Sequence, residues 1–187
     1  MKAAIGLLLC AFCTIPASAG DGDSPETLVR AVYQTISGPA GTRDWARFRA
    51  LFAAGARLIN MRVTPDGTIP GVMTVEDYIA RASANFEKSP FWESELARRA
   101  EAFGAIAHVF STYESRRAPE QNPFARGINS FQLVKDGQSW KVMTILWDAE
   151  REGNPIPEKY LGTPAQNHVA RKVGGIGMVA SPQPSGD

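Results

Sequence analysis

The sequence predicts an α+β domain, and three observations predict it. Apolar residues recur at helical spacing in the first part of the chain. The pattern changes to period-two alternation after Pro90, and glycine-bearing turns separate the alternating segments. Ser24-Pro25-Glu26-Thr27 supplies a capping serine and then a proline at the first helical position. Leu28, Val29, Val32 and Ile36 follow at helical spacing until Ser37-Gly38-Pro39 ends them. A second helix is expected from the Asp44 cap, carrying Trp45, Phe48, Leu51 and Phe52 and ending around Gly55.

Residues 56 to 63, the turn Thr64-Pro65-Asp66-Gly67 and residues 69 to 73 read as a strand, a turn and a short strand. Thr74 with Asp77 resembles a capping box and opens a third helix through Tyr78, Ile79, Ala82 and Phe86, which Ser89-Pro90 stops. Four strands follow, over about residues 92 to 102, 105 to 116, 126 to 134 and 139 to 148, with turns at Phe103-Gly104 and Asp136-Gly137. With Asp136 and Gly137 as the central turn residues, Lys135 pairs with Gln138 and Asn129 falls opposite Thr144. Alternation then gathers Asn129, Phe131, Leu133, Trp140, Val142, Thr144 and Leu146 on the helix-covered face. Ile128, Ser130, Gln132, Lys141, Met143, Ile145 and Trp147 fall on a face that is partly open or paired with a second subunit.

Ahead of the domain, Lys2, an apolar run from Ala3 to Ile15 and the small-residue site Ala17-Ser18-Ala19 read as a secretory signal peptide, residues 1 to 19. A run of about 13 residues is too short to span a bilayer, so no stable membrane insertion is expected after cleavage. Delivery to the periplasm or the medium follows. The mature chain of roughly 168 residues suits one domain, residues 20 to 162, with a Gly-, Pro- and Ser-rich tail over 163 to 187. Cys10 and Cys13 both lie in the removed segment, which excludes disulfides, thiolate metal sites and cysteine nucleophiles. His108 and His168 stand far apart, so no metal site and no cofactor are expected. The chain has 20 basic and 19 acidic residues, a balance that offers no footprint for nucleic acid.

The segments His108-Val109-Phe110-Ser111-Thr112-Tyr113-Glu114-Ser115-Arg116, Arg126-Gly127-Ile128-Asn129-Ser130-Phe131-Gln132-Leu133, Trp140-Lys141-Val142 and Ile145-Leu146-Trp147 resemble a group of bacterial proteins of the nuclear-transport-factor-2-like (NTF2-like) superfamily, also called SnoaL-like or ketosteroid-isomerase-like. The resemblance covers roughly residues 25 to 162. It implies a cone of three N-terminal helices on a curved, mainly antiparallel sheet of four to six strands. It also implies a pocket in the hollow and a homodimer through the sheet. Members include isomerases, dehydratases and cyclases as well as plain binding or dimerising domains. Set beside ketosteroid isomerase, Tyr33 stands for the oxyanion tyrosine. Residues 126 to 134 hold no aspartate, and Asn129 or Ser130 supply only neutral groups there.

The weak catalytic candidates are His108 and Tyr113. Histidine is the usual acid–base side chain of neutral pH, and His108 shares its strand face with Phe110, Thr112 and Glu114, yet it also reads as an ordinary strand histidine. The ligand-binding candidates are Ser111, Tyr113, Arg126 and Asn129 at one end of the sheet, with Trp45, Phe48 and Phe131 as apolar lining. Arg126 offers a fork to a carboxylate or carbonyl, or else pairs with Glu150 or Glu152. Glu93, Glu95 and Glu101 alternate with Arg99 and read as a solvated ion-pair surface without chemistry. The function expected is the binding of a small, mainly apolar organic ligand in the cone. The alternatives are an enzyme of acid–base type and a ligand-free dimer module.

Overall fold

The structure, a computed structural model, describes residues 20–162. The expected signal segment and tail lie outside the described residues. Three helices come from the predicted stretches: α1 (Pro25–Ile36), α2 (Trp45–Ala50) and α3 (Val75–Phe86). Reciprocal caps start two of them. Ser24 Oγ accepts from Thr27 N at 3.1 Å while Thr27 Oγ1 accepts from Ser24 N at 2.9 Å. Thr74 and Asp77 do the same for α3. Leu28, Val29, Ala31, Val32 and Tyr33 of α1 are buried almost completely, so the apolar stripe is the face laid on the sheet.

Six strands form one mixed, open sheet: β1 (Phe52–Thr64), β2 (Gly67–Met73), β3 (Trp92–Phe103), β4 (Ile106–Arg116), β5 (Ala125–Asp136) and β6 (Ser139–Ala149), in the order β2-β1-β6-β5-β4-β3. Neighbours are antiparallel except β1 and β6, which run parallel. The helices cover one face. Val109, Phe131, Leu133 and Val142 of the central strands are fully buried beneath them. That buried layer is the core.

Two expectations need correction. The second helix stops at Ala50, because Leu51 O accepts from Val142 N at 2.9 Å and Phe52 already pairs with β6; Gly55, at φ 79°, lies within an irregularity of that pairing. Helical spacing in residues 51 to 55 is thus overridden by a sheet partner far along the chain. The register of β5 and β6 also differs. Asp136 pairs with Ser139 and Asn129 with Trp147, and a bulge sits between Gln132 and Leu133 on one side and Val142 and Thr144 on the other. The extra residue, Met143, switches the alternation of β6. Trp140 and Val142 point inward, then Ile145 and Trp147 do, while Leu146 turns out and is 39% exposed.

The outer face is crossed by the chain's last described segment. Ile156 is buried there, its N–H donating to Glu150 Oε1 at 3.0 Å. Tyr160 packs its ring on Phe110 at 5.0 Å and accepts from Thr112 Oγ1 at 2.7 Å through its carbonyl. Arg99 donates to Lys159 O at 3.0 Å. The segment is a strap on the side of the sheet away from the helices.

Candidate functional site

A cavity of about 320 Å³ lies between the helices and the inner face of the sheet. Its apolar walls include Val32 and Ile36 of α1, Phe48 of α2, Phe86 of α3, and Phe131 and Trp147 of the sheet. Its polar side chains are Tyr33, Asn60, Tyr78, Arg81, Asn85, Glu93, Tyr113 and Asn129. A concave apolar space with a few placed polar groups is the usual form of a small-molecule site.

Glu93 is the one acid in that lining. It stands near the start of edge strand β3, where α1 is stitched to the strand. Gly38 and Phe91 exchange backbone hydrogen bonds at 2.7 and 3.0 Å, and Ser37 Oγ both accepts from Glu93 N and donates to Glu93 O. The carboxylate accepts from Ser115 Oγ at 2.8 Å, with Asn129 Nδ2 farther off at 3.5 Å. Removal from water outweighs these two bonds and pushes its pKa up to about 7. The same burial, with Glu93 nearby, holds the Tyr33, Tyr78 and Tyr113 hydroxyls well above the ordinary tyrosine range. All three stay neutral.

Proton counting separates the tyrosines. Ser111 Oγ donates its single hydrogen to Glu95 Oε1 at 2.6 Å, and Glu95 in turn is paired with Arg98. Tyr33, 2.7 Å from Ser111 Oγ, must therefore donate to it, while accepting from Asn129 Nδ2 at 3.1 Å. Its hydrogen is committed to the protein. The Tyr113 hydroxyl has no hydrogen-bond partner among the described residues and lines the cavity. A Cβ at residue 127 would lie 2.6 Å from that hydroxyl and 2.4 Å from Asp148 O, so Gly127 makes the room in which Tyr113 sits. Asn60 adds a buried carbonyl oxygen, also without a partner.

Of the residues singled out from sequence, Tyr113, Asn129, Phe48 and Phe131 line the cavity together. Ser111 stands behind it, tied to Tyr33 and Glu95. Trp45 packs on Phe48 and Phe86 at 5.6 and 6.2 Å and is not part of the lining. His108 and Arg126 are on the other face: His108 Nδ1 meets Gln132 Nε2 at 2.7 Å, and Arg126 lies 3.7 Å from Glu150. Strand alternation from Ser111 and Tyr113 decides this. Neither side chain reaches the cavity. Tyr33, set beside the oxyanion tyrosine, spends its proton on Ser111.

Glu93 and Arg81 are the residues that sequence reading missed. Uninterrupted alternation places Glu93, Glu95 and Glu101 on one solvated face. In the structure Glu93 pairs with Ser115 and Glu95 with Tyr113, both inward, and a bulge at Leu96 turns Glu101 opposite His108 on the outer face. The signal was the pairing across the β3–β4 hairpin, since directly opposed residues share a face. Among the described residues no group of three or more His, Cys, Asp or Glu is placed to hold a metal ion.

No family model matches the chain, and no curated protein does. Solved structures do match. An NTF2-like protein of unknown function from Pseudomonas putida KT2440 is 14% identical with a TM-score of 0.52, over 71% of this chain and 89% of that one. A protein of unknown function with a cystatin-like fold from Nostoc punctiforme PCC 73102 is 12% identical with a TM-score of 0.52, over 67% of this chain and 87% of the other. A protein of unknown function from Mycobacterium tuberculosis is 14% identical with a TM-score of 0.53, over 71% and 75%. At such identities the likeness concerns the backbone alone. Three helices on an open six-stranded mixed sheet, superposable on these proteins, give the chain the NTF2-like fold.

Proposed function

We propose that this domain binds a small, mainly apolar organic molecule in the cone, with an oxygen-bearing head set against Tyr113 and Glu93. The observation that carries the reading is the cavity of about 320 Å³ whose polar groups include a hydroxyl donor, Tyr113, with no partner among the described residues. A hydroxyl that opens onto a largely apolar cavity and is not spent on the protein is free to meet a ligand acceptor. The side chains of the core do not fill the space, which counts against a purely structural dimer module. Export accompanies this reading, on the strength of residues 1 to 19.

One experiment reads both parts. The full chain is expressed with its leader, recovered from the periplasm or medium, and weighed by native and denaturing mass spectrometry. The expected result is a polypeptide beginning at Gly20 that carries an adduct lost on denaturation, and that adduct weakened by Tyr113→Phe. A chain retaining its leader removes export. An adduct indifferent to Tyr113→Phe removes the placement.

Acid–base catalysis on the bound compound is the second reading, favoured by a carboxyl held near neutral pKa inside the cavity. Glu93→Gln then retains affinity for the adduct while abolishing its turnover.

A further inference from the structure

Arg81 lies on α3 at the rim of the cavity, one turn before Asn85, and its side chain is exposed. Its hydrogen-bond partner is the Met73 sulfur, 3.3 Å from Nη1. Sulfur is a weak acceptor, and a guanidinium carries five N–H donors suited to a carboxylate. Acids close in sequence are engaged elsewhere. Asp77, one turn earlier on the helix, is held by both the backbone and hydroxyl of Thr74 at 3.0 and 2.7 Å. Glu76 is bound by both arms of the Arg49 fork at 2.6 and 2.8 Å. Arg81 thus has no ion pair among the described residues.

Two residues of charged type, Arg81 and Glu93, line the cavity, and they come from different places in the fold. Arg81 rests on Met73 of β2, at one edge of the sheet, whereas Glu93 belongs to β3, at the other edge. Much of the remaining lining is aromatic or aliphatic, Phe48, Phe86, Phe131, Ile145 and Trp147 included. Asn60 also contributes to the lining, although its Oδ1 is itself closed off and without a partner among the described residues. Taken together, these groups prescribe the order of features along an occupant.

We infer that the ligand of this cavity is an amphiphilic organic acid. Its carboxylate pairs with Arg81 at the rim, its apolar body lies along the aromatic lining, and a hydroxyl or carbonyl head reaches Tyr113 and Glu93. The inference rests on the ligand-binding reading above and narrows it to a class. A free cation at the rim selects anions on approach and holds them in a partly desolvated place, where a charge-assisted fork is stronger than a neutral contact. Neutral analogues of the same shape fill the cavity but leave the guanidinium without a counter-ion.

The test uses 6-hydroxy-2-naphthoate and its methyl ester, titrated into the mature protein and followed by calorimetry. Wild type is expected to bind the acid ~10-fold more tightly than the ester, as one charge-assisted fork implies. Arg81→Gln removes that preference, Arg81→Lys keeps part of it, and added salt shrinks it. Melting curves check that the variants remain folded, which exposure of Arg81 favours. An ester bound as well as the acid, or a preference that survives Arg81→Gln, overturns the acid class. If Tyr113→Phe still weakens both probes in that case, the cavity stands as a binding site and only its ligand class is wrong. If neither probe responds to either substitution, both readings fall.

Discussion

A carboxyl group leaves water only at a cost, and Glu93 is largely withdrawn from it with no cationic partner among the described residues, held by Ser115 and more distantly by Asn129. Its folded pKa near 7 lies above the ordinary glutamate value of 4.5. The folded state therefore binds more protons than the unfolded chain between those two values, and stability falls as pH rises through that window. A shift of this size corresponds to a loss on the order of 2–3 kcal/mol between about pH 4.5 and 7.5. Urea denaturation across that range is expected to show the decline in wild type and a much flatter profile in Glu93→Gln. A wild-type profile that rises toward pH 7.5 would contradict the burial of this acid. Neighbouring Glu95, on the same inner face, differs in being paired with Arg98. A partner three residues away made that difference, which spacing on a strand does not reveal.

At the scale of elements, the decisive joints are those that hand one element to the next. The loop after α1 is closed by Arg43, whose guanidinium donates to the carbonyls of Ile36, Gly38, Pro39 and Gly41 at 3.0, 2.9, 2.7 and 3.1 Å and lies 5.0 Å from the Phe86 ring centre. These bonds satisfy carbonyls that the end of α1 leaves open, and they hold the segment that pairs with Phe91 just before Glu93. Arg43→Ala is expected to cost about 2–3 kcal/mol in chemical denaturation, as loss of several charge-assisted bonds implies. Ligand affinity should fall with it, since Glu93 loses its anchor; an unchanged midpoint would show that the loop holds without Arg43. The bulges at Leu96 and Met143 act similarly on strands. Each inserts one residue, and each reverses which side chains face the cavity beyond it.

Over the whole molecule, the strap of residues 155 to 160 divides the sheet's outer face. Phe110, Ile128 and Leu146 flank it, and Ile156 and Tyr160 cover part of their surface. Pairing of two copies through the sheet, the arrangement the resemblance implies, has only the parts that the strap leaves open. Truncation after Asn154 is expected to raise the dimer fraction in sedimentation experiments and to lower the melting temperature by several degrees, because apolar surface loses its cover. A truncated chain with unchanged association would show that the strap does not govern pairing. The sequence by itself determined the order of helices and strands, the three helix starts and the aromatic nature of the interior. Caps, periodicity and glycine turns act over a few residues, and a linear reading contains them. The α2 boundary, the β5–β6 register, the inward turn of Glu93 and the outward positions of His108 and Arg126 came only with the tertiary structure. Each depends on which strand lies alongside and where a bulge falls, and those are decided by pairings between residues from 9 (Leu133 and Val142) to 90 (Phe52 and Val142) positions apart. A one-residue slip exchanges the two faces of a strand, so the acid that equips the cavity and the histidine that does not could be told apart only once the strands were paired.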